Sequence, residues 1–485
     1  MSEILVIGGG VSGLAAGIYA QRNGHHATVC EKYAVAGGNL TAWKRQGYTI
    51  DTCIHWLTGT NPAGDMYAMW EDLGVLGEDV EILRPQILYA VEHEGRTLAL
   101  YRDLDRTVTE MLEISPEDKK QIRDFEHAVQ FMHIILHTYG PKKNERPGVF
   151  TAARYLPALA KYFTHNLGEL AGKFRHPLLK KFISYLMGRH FNGVDLAFVA
   201  ATFTGDNADL PRGLSKPMAE RMVRRLKDLG GTLILGAEAE EALVEGDLVT
   251  GVRFKDGTVR SADHVIFAID PAVTFGKLLP NTYMPRGLKK QFDDPRFYRF
   301  SSSHGQFACS KPKLPFTDNI IVDIPEEYRE ILKNHRLTIR SFDDEPSFAP
   351  EGASTIQVMV YCKEEGCRHF IELKERDPEA YAREKEQMGR AMQAVAEAHF
   401  PALAGTLTVL DVWTPATYKR YTGSVFGNYQ GFINPKMKAP KKVDIHIPGL
   451  KNAMMASQWR MSPGGLPVAA AAGRKAVYYI DGYLK

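Results

Sequence analysis

Three glycines near the N-terminus, Gly8, Gly10 and Gly13, have the spacing of a loop that binds a pyrophosphate. The first permits a tight turn, the second lets the backbone approach the phosphates, and the third lets the next helix pack against its strand. That helix would present backbone N–H groups and the positive end of its dipole to the phosphates. The alternative is a glycine-rich turn with only a structural role, and the surrounding pattern argues against it.

An acidic residue stands where a bound dinucleotide needs one. Glu31 follows Gly8 by 23 positions and closes the next apolar run, where a carboxylate would hold ribose hydroxyls. Its charge would repel a 2′-phosphate, which argues against NADP at this site. The pair Gly37-Gly38 follows and could bring a second backbone segment against the same pyrophosphate. The sequence has no second fingerprint of this kind, so we expect one bound dinucleotide.

The elements around these glycines predict one half of a doubly wound sheet. Residues 4–7 form an apolar run typical of a buried parallel strand, and residues 27–30 form a second one. Between them, Val11, Leu14 and Ile18 fall on one face of a predicted helix. Strand, glycine turn, helix and strand therefore follow in the order that positions the phosphate loop.

The rest of the chain alternates between two kinds of pattern. Helical patterns dominate the middle, and strand-like runs return at residues 232–235, 248–254 and 264–268. The Asp256-Gly257 step predicts a hairpin turn between the last two of these runs. Further strands of antiparallel type are predicted at residues 305–309, 355–361 and 406–413, interrupted by a charged helix at 377–399.

We therefore predict a dinucleotide domain assembled from three separated pieces, with two insertions that form a second domain. The pieces of the first domain are residues 1–74, 206–294 and 416–485. The insertions are residues 75–205, which are mainly helical, and residues 295–415, which supply a sheet and a helix.

The composition is that of a folded soluble protein. Of the 485 residues, 44% are hydrophobic and 24% charged, which excludes disordered and collagen-like chains. A net charge of +3 gives no excess that would favour nucleic acid. Five cysteines, a sparse and odd number, favour a reducing compartment, so we expect a cytoplasmic protein. The apolar N-terminus lacks a basic start and is assigned to the fold rather than to a leader.

Two stretches carry a resemblance to a known family: GGGVSGLAAGIYAQRNGHHATVCEK at residues 8–32 and AGGNLTAWKRQGYTIDTCIHWLTG at residues 36–59. They resemble the FAD-binding start of the phytoene desaturase, carotenoid isomerase and retinol saturase family. The stretch from Tyr48 to Gly59 is most similar to the retinol saturase branch. Residues 457–476 occupy the position of the C-terminal FAD motif. The matching segments cover roughly a third of the chain.

The resemblance implies an α/β fold with a Rossmann-type FAD-binding domain in separated segments and an inserted α+β substrate domain, an antiparallel sheet plus helices. It also implies non-covalent FAD and the following cofactor-binding residues: Gly8, Gly10, Ser12, Gly13, Glu31, Lys32, Gly38, Asn39, Leu40, His55, Trp56, Leu57, Ala239, Gln458, Leu466, Pro467 and Val468. Two positions depart from the family pattern: Gln458 replaces an acid, and Asn39 replaces a frequent arginine.

A flavin reaction that adds or removes hydrogen also needs a group that moves a proton. The resemblance places His55 beside the flavin, and imidazole titrates near neutral pH. The alternative role for His55 is packing or hydrogen bonding beneath the ring. Tyr418 and Tyr421 are the next candidates, with core or loop aromatics as their alternative. No cluster with metal-ligand spacing stands out in the sequence, so we expect no metal.

Residues 154–190 carry seven basic side chains and one acid, with apolar residues between them. On a helix from Leu178, the side chains of Phe182 and Tyr185 share one side, and Lys180 and Lys181 fall on another. This pattern fits a helix lying on an anionic membrane surface near an entrance for lipids. The alternative is an amphipathic helix packed on the core with solvated lysines.

These features predict an FAD-dependent oxidoreductase that saturates or desaturates carbon–carbon double bonds of an apolar, isoprenoid-like lipid by hydride transfer at flavin N5. A flavin-dependent isomerase without net redox change is the first alternative. A lipid carrier without catalysis is the second, and an amine oxidase is the third. The oligomeric state stays open.

Overall fold

The computed structural model describes residues 1–138, 149–314, 319–434 and 443–483. In these residues the strands are β1 (Glu3–Ile7), β2 (His26–Glu31), β3 (Ala42–Arg45), β4 (Tyr48–Asp51), β5 (Leu57–Thr58), β6 (Ile82–Leu83), β7 (Ile87–His93), β8 (Arg96–Tyr101), β9 (Ala208–Pro211), β10 (Thr232–Leu235), β11 (Ala239–Glu245), β12 (Leu248–Phe254), β13 (Val259–Ser261), β14 (His264–Phe267), β15 (Phe300–Cys309), β16 (Asn319–Asp323), β17 (Arg336–Ser341), β18 (Ser354–Lys363), β19 (Leu407–Trp413) and β20 (Ala453–Met455).

The α-helices of the same residues are α1 (Val11–Arg22), α2 (Asp65–Asp72), α3 (Leu104–Ile114), α4 (Lys119–Thr138), α5 (Val149–Thr164), α6 (Leu167–Ala171), α7 (Pro177–Tyr185), α8 (Gly193–Thr204), α9 (Ser215–Asp228), α10 (Pro271–Val273), α11 (Arg286–Asp293), α12 (Glu326–Leu332), α13 (Glu364–Arg376), α14 (Pro378–His399), α15 (Pro415–Thr422) and α16 (Leu466–Ile480). Among them, no helix combines the length and the apolar character needed to cross a membrane.

A parallel sheet with the strand order β10-β2-β1-β14-β20 forms the centre of the first half of the fold. Its strands come from both ends and the middle of the chain, and every neighbouring pair is parallel. Helices α9 and α16 both pack against α1, which follows β1 directly. The predicted Rossmann-type arrangement from separated segments is confirmed.

The hairpin predicted at Asp256-Gly257 forms, but its second strand is β13 rather than β14. Gly257 has a φ of +84° at the turn, and β12 pairs with β13 in an antiparallel register. The prediction that residues 264–268 are the hairpin partner was wrong. Both edges of β14 are already paired, with β1 on one side and β20 on the other, so β14 has no free edge for pairing with β12.

A second sheet has the order β19-β15-β18-β17-β16-β7-β8 and lies in the inserted part of the chain. Strands β15, β18 and β19 are antiparallel neighbours, as predicted. Strands β7 and β8 join through a parallel pair with β16. The sheet therefore recruits two strands from residues predicted to be mainly helical.

Alternating residues give this sheet two different faces. One face carries Val358, Val360 and Ile339, which are buried against helices such as α14. The other face carries a row of His304, Met359, Thr338 and Ile321, which are cross-strand neighbours on four adjacent strands. This second face is turned towards the cavity described below.

Helices α4, α5 and α8 close the cavity from the other side, and α7 packs against β7 and β8. Their apolar side chains form one core cluster with β7 and β8. In α7, Leu178 and Phe182 are fully buried in that cluster, and Tyr89 donates a 2.8 Å hydrogen bond to the carbonyl of Phe182. Lys180 is exposed, whereas Lys181 donates to Asp323 at 2.5 Å. The apolar side of α7 therefore packs on the core.

Candidate active site

The glycine loop between β1 and α1 is built by close backbone contacts. A Cβ atom at Gly13 would lie 1.8 Å from the carbonyl oxygen of Gly8, so only glycine lets α1 approach the turn. Gly10 is the N-cap of α1 and makes no side-chain capping bond. The first N–H groups of the helix are thus left for a ligand, and their dipole end favours an anion.

The second glycine pair lies directly beside this loop. The Gly37 N–H donates to the Gly9 carbonyl at 2.8 Å. A Cβ atom at Gly38, where φ is +61°, would lie only 3.2 Å from the Cα of Gly10. Two backbone segments thus form a cradle that side chains would fill, and its N–H groups suit a pyrophosphate.

Glu31 lies at the end of β2, beside this cradle. Its carboxylate accepts a 2.7 Å hydrogen bond from the Gly9 N–H and a 3.0 Å bond from the Tyr33 N–H. The side chain is buried, and each oxygen keeps an acceptor site for a further donor. The carboxylate can therefore hold the loop and bind two ribose hydroxyls.

A cavity of about 880 Å³ begins at this cradle and extends under the seven-stranded sheet. That volume is at the upper end of ligand pockets. Of the predicted site residues, those in its wall are Gly8, Gly10, Ser12, Glu31, Lys32, Gly38, Asn39, Leu40, His55, Trp56, Ala239, Tyr421, Gln458, Leu466, Pro467 and Val468. Segments from both ends of the chain thus meet around one space.

Three predicted residues lie outside the cavity wall. Gly13 acts through the close packing of α1, and Leu57 is buried in β5, where it pairs with Asp209. Tyr418 is buried behind the wall: its hydroxyl accepts from the Trp413 indole at 3.2 Å and lies 3.3 Å from the His304 Nε2. It could reach a ligand only through other side chains.

Tyr421 lines the cavity close to Glu31. Its ring centroid is 5.7 Å from that of Tyr33, whose backbone N–H donates to Glu31. The two tyrosines of α15 therefore occupy different environments, with Tyr421 exposed in the cavity wall beside Tyr33 and Tyr418 in the core.

His55 lines the cavity between the cradle and the sheet. Burial lowers its pKa well below the usual value, and the nearby cation of Arg340 adds to the effect. Arg340 is itself buried and donates to the Ile54 carbonyl at 2.8 Å. Its neighbour Asp51 accepts two 2.8 Å bonds from Ser215. This network fixes the backbone around His55 and keeps the imidazole neutral at neutral pH.

The deeper part of the cavity is mostly apolar, and we call it the apolar chamber. Its wall consists of Leu88, Tyr89, Met132, Phe163, Leu186, Met187, Phe191, Val194, Asp195, Phe198, Val199, Phe300, Asn319, Ile321, Thr338, Met359 and Tyr361. None of these residues was predicted as a site residue. They lie on scattered elements and carry no motif, so the only available signal was their apolar character.

Two buried acceptors in the wall fit a cofactor with several donors. The Oδ1 of Asn39 and the Oε1 of Gln430 have no hydrogen-bond partner among the described residues. Both lie in the part of the wall formed by the glycine segments and the end of the chain. Buried polar atoms normally find a partner, so these two atoms suit the hydroxyl and ring N–H groups of FAD.

The fold and the cavity define a class of protein: a doubly wound domain that holds one dinucleotide at the entrance of an apolar chamber. The chain belongs to the family described as flavin containing amine oxidoreductase, which matches residues 11–480. The protein is accordingly a flavin oxidoreductase, and its cofactor is FAD.

Two relatives extend this assignment. The chain is 23% identical to prolycopene isomerase, chloroplastic, of Arabidopsis thaliana over 464 residues, covering 88% of this chain and 74% of that protein. It is 24% identical to all-trans-zeta-carotene desaturase of Myxococcus xanthus over 400 residues, covering 74% and 72%. The predicted resemblance to carotenoid desaturases and isomerases is confirmed.

A solved structure shares the fold. Cyclohexylamine oxidase from Brevibacterium oxydans is similar over 99% of both chains, with a TM-score of 0.61 and 13% sequence identity. This likeness concerns the architecture alone, because one fold supports many activities.

Proposed function

We propose that this protein saturates or desaturates carbon–carbon double bonds of a long, apolar, isoprenoid-type lipid. The observation that carries the proposal is the apolar chamber, which continues directly from the cofactor cradle. Apolar walls with few polar groups suit a hydrocarbon chain. The relatives are named for prolycopene and zeta-carotene, which are molecules of this kind.

Each part of the site has its own task in this proposal. FAD, held without a covalent link, supplies hydride transfer at flavin N5. Gly8, Gly10 and Gly38 hold its pyrophosphate, and Glu31 holds its ribose. Trp56 lies beside the isoalloxazine ring in this proposal, and the chamber aligns the lipid and excludes water.

His55 is the candidate for proton transfer or for positioning the ring. Because its pKa is lowered by burial, the neutral imidazole predominates at neutral pH. A neutral imidazole can accept a proton, as desaturation requires, whereas saturation needs a proton donor. A lowered pKa also makes the imidazole a weak base, so the environment of His55 does not select one direction over the other.

A second candidate function is isomerisation of a double bond without net redox change. It is favoured by the match to prolycopene isomerase over 88% of this chain. The cradle around Gly10 argues against a carrier that lacks FAD. Amine oxidation is the weaker alternative, because among the described chamber residues only Asp195 could carry a charge to pair with an ammonium group.

The experiment is to incubate the purified, FAD-loaded protein with zeta-carotene and with prolycopene in lipid vesicles and to measure product masses. Loss of two hydrogens with reduction of FAD supports desaturation, and gain of two hydrogens by the pre-reduced protein supports saturation. Unchanged mass with altered retention supports the isomerase. The apoprotein is the control, and a protein that neither contains nor binds FAD would contradict the proposal.

A further inference from the structure

The apolar chamber contains a single ionisable carboxyl group among its described residues, that of Asp195. One of its oxygens accepts from the Asn192 N–H at 3.1 Å and completes a capping box at the start of α8. No lysine or arginine in the described part of the chain forms an ion pair with it. A carboxyl group in an apolar wall is costly unless a partner satisfies it.

Helix capping alone does not account for the position of this group. The matching capping box of α6 uses Asn166 and Glu169, and Glu169 is exposed to solvent. Asp195 makes the same backbone bond but also lines the cavity, beside Val194, Phe198 and other apolar side chains. Its carboxyl is therefore available to a molecule inside the chamber.

The position of Asp195 is distant from the strand that follows His55 and Trp56. Helix α8 ends at Thr204, after which Ala208 pairs with Thr58 of β5. Asp195 lies nine residues before Thr204, which is about 14 Å along the axis at 1.5 Å per residue. Asp195 therefore lies at the other end of α8 from β5.

We propose that Asp195 binds a hydroxyl group at the end of the substrate, so that the lipid handled by this protein is an isoprenoid alcohol rather than a pure hydrocarbon. This inference rests on the proposed function, because it assumes that the chamber holds the isoprenoid chain. The carboxyl and a hydroxyl can each donate to and accept from the other, which satisfies both groups in an apolar wall. A hydroxyl held by this carboxyl would fix the position of the chain in the chamber.

The environment of Asp195 favours an uncharged partner. Burial raises the pKa of the carboxyl to about 7, so a large share of it is protonated near neutral pH. A neutral carboxyl pairs with a hydroxyl without placing a net charge in the chamber. An ammonium end group would instead require the ionised carboxylate and a buried ion pair.

The test is a binding experiment with three probes that share one chain: geranylgeraniol, geranylgeranylamine and the hydrocarbon that ends in a methyl group. Trp56 lines the cavity, so binding is followed by tryptophan fluorescence without turnover. We expect the wild type to bind the alcohol at least about tenfold more tightly than the hydrocarbon. In Asp195→Ala this preference should disappear, while the hydrocarbon binds as before or more tightly.

Glu169→Ala is the matched control, because it removes an equivalent helix cap outside the cavity. It should lower the melting temperature to a similar extent as Asp195→Ala and leave the preference for the alcohol intact. Asp195→Asn, which keeps hydrogen-bonding groups, should retain part of the preference. If Glu169→Ala abolished the preference equally, the effect would be structural and the inference would fail.

Three further results would overturn the inference: equal binding of alcohol and hydrocarbon by the wild type, no binding of any probe, or tighter binding of the amine than of the alcohol. The readout separates this inference from the proposed function. A protein that prefers the alcohol but never alters its double bonds would refute the reaction and not the role of Asp195. A protein that converts both the hydrocarbon and the alcohol and binds them with equal affinity would refute the role of Asp195 and not the reaction.

Discussion

At the scale of single residues, the environment of His55 leads to a definite expectation about catalysis. The neutral imidazole lies in the cavity wall, and Arg340 fixes the preceding carbonyl. His55→Ala should keep FAD bound and reducible but lower turnover by about 10²-fold or more, because the imidazole proposed to take part in the proton transfer is lost. Rates of wild type and variant, with FAD content measured by absorbance, check this.

The pH profile and a second variant serve as controls for His55. Because its pKa lies well below 6.5, wild-type turnover should not change with the titration of this group between about pH 6 and pH 8. Tyr418→Phe removes a hydroxyl one layer behind the wall and should have a smaller effect on turnover. If His55→Ala loses FAD, the residue packs the cofactor instead, and full turnover would remove it from the site.

The residues that the sequence assigns to the site and the structure places in the cavity wall include several defined by local backbone geometry. Gly8, Gly10 and Glu31 follow from spacing, because a phosphate loop needs a turn, a close approach and an acid at fixed distances. Asp195 is different, since its spacing of three from Asn192 predicts only a helix cap. Whether a cap also faces a cavity depends on packing between distant elements, which local pattern does not contain.

At the scale of elements, helices α5 and α7 differ in what they offer to a membrane. The apolar side chains of α7, such as Leu178, are buried, so its basic residues lie on a packed helix. In α5, Leu156 is 50% exposed, next to the exposed Arg154. Contact with a lipid surface is therefore better supported for α5 than for α7.

We expect the protein to sediment with anionic vesicles at low salt, and Leu156→Glu in α5 to weaken this binding more than Lys180→Glu in α7. The reason is that the first variant replaces the exposed apolar side chain of Leu156 by a charge, whereas the second changes only a solvated lysine. Added salt should weaken the binding of the wild type. Lys181→Glu is unsuitable because Lys181 is paired with Asp323. A wild type that stays in the supernatant would refute membrane contact.

Among the elements, strands with a strong apolar run are predicted almost to the residue, as β10 and β12 show. The membership of β7 and β8 in the large sheet is not predictable in this way. It depends on a parallel pair that joins Ile320 to Ala90, more than two hundred positions apart in the chain. Pairing over such distances is decided by which edge is free and which face is apolar.

At the scale of the whole molecule, one cavity joins segments from nearly the entire chain. Its wall runs from Ile7 to Ala469, and the parallel sheet beneath it takes strands from both ends of the sequence. Bound FAD would contact several of these segments at once. A ligand that binds only the folded state adds its binding free energy to the stability of the fold. FAD should therefore act on the stability of the protein as a whole.

Removal of FAD should thus lower the melting temperature. Bound FAD adds to the free energy of unfolding an amount that grows with FAD concentration and reaches about 2.7 kcal/mol at a hundred times the Kd. Glu31→Ala should reduce this FAD-dependent gain, because each charge-assisted bond to the ribose contributes about 1.5–3 kcal/mol. It should also lower the stability of the apoprotein, since Glu31 accepts from the N–H groups of Gly9 and Tyr33. Glu31→Gln keeps one acceptor oxygen, so its FAD-dependent gain in stability should lie between those of the wild type and Glu31→Ala. Melting curves with and without FAD, together with calorimetric titration, measure both effects, and wild-type FAD affinity in Glu31→Ala would show that the ribose lies elsewhere.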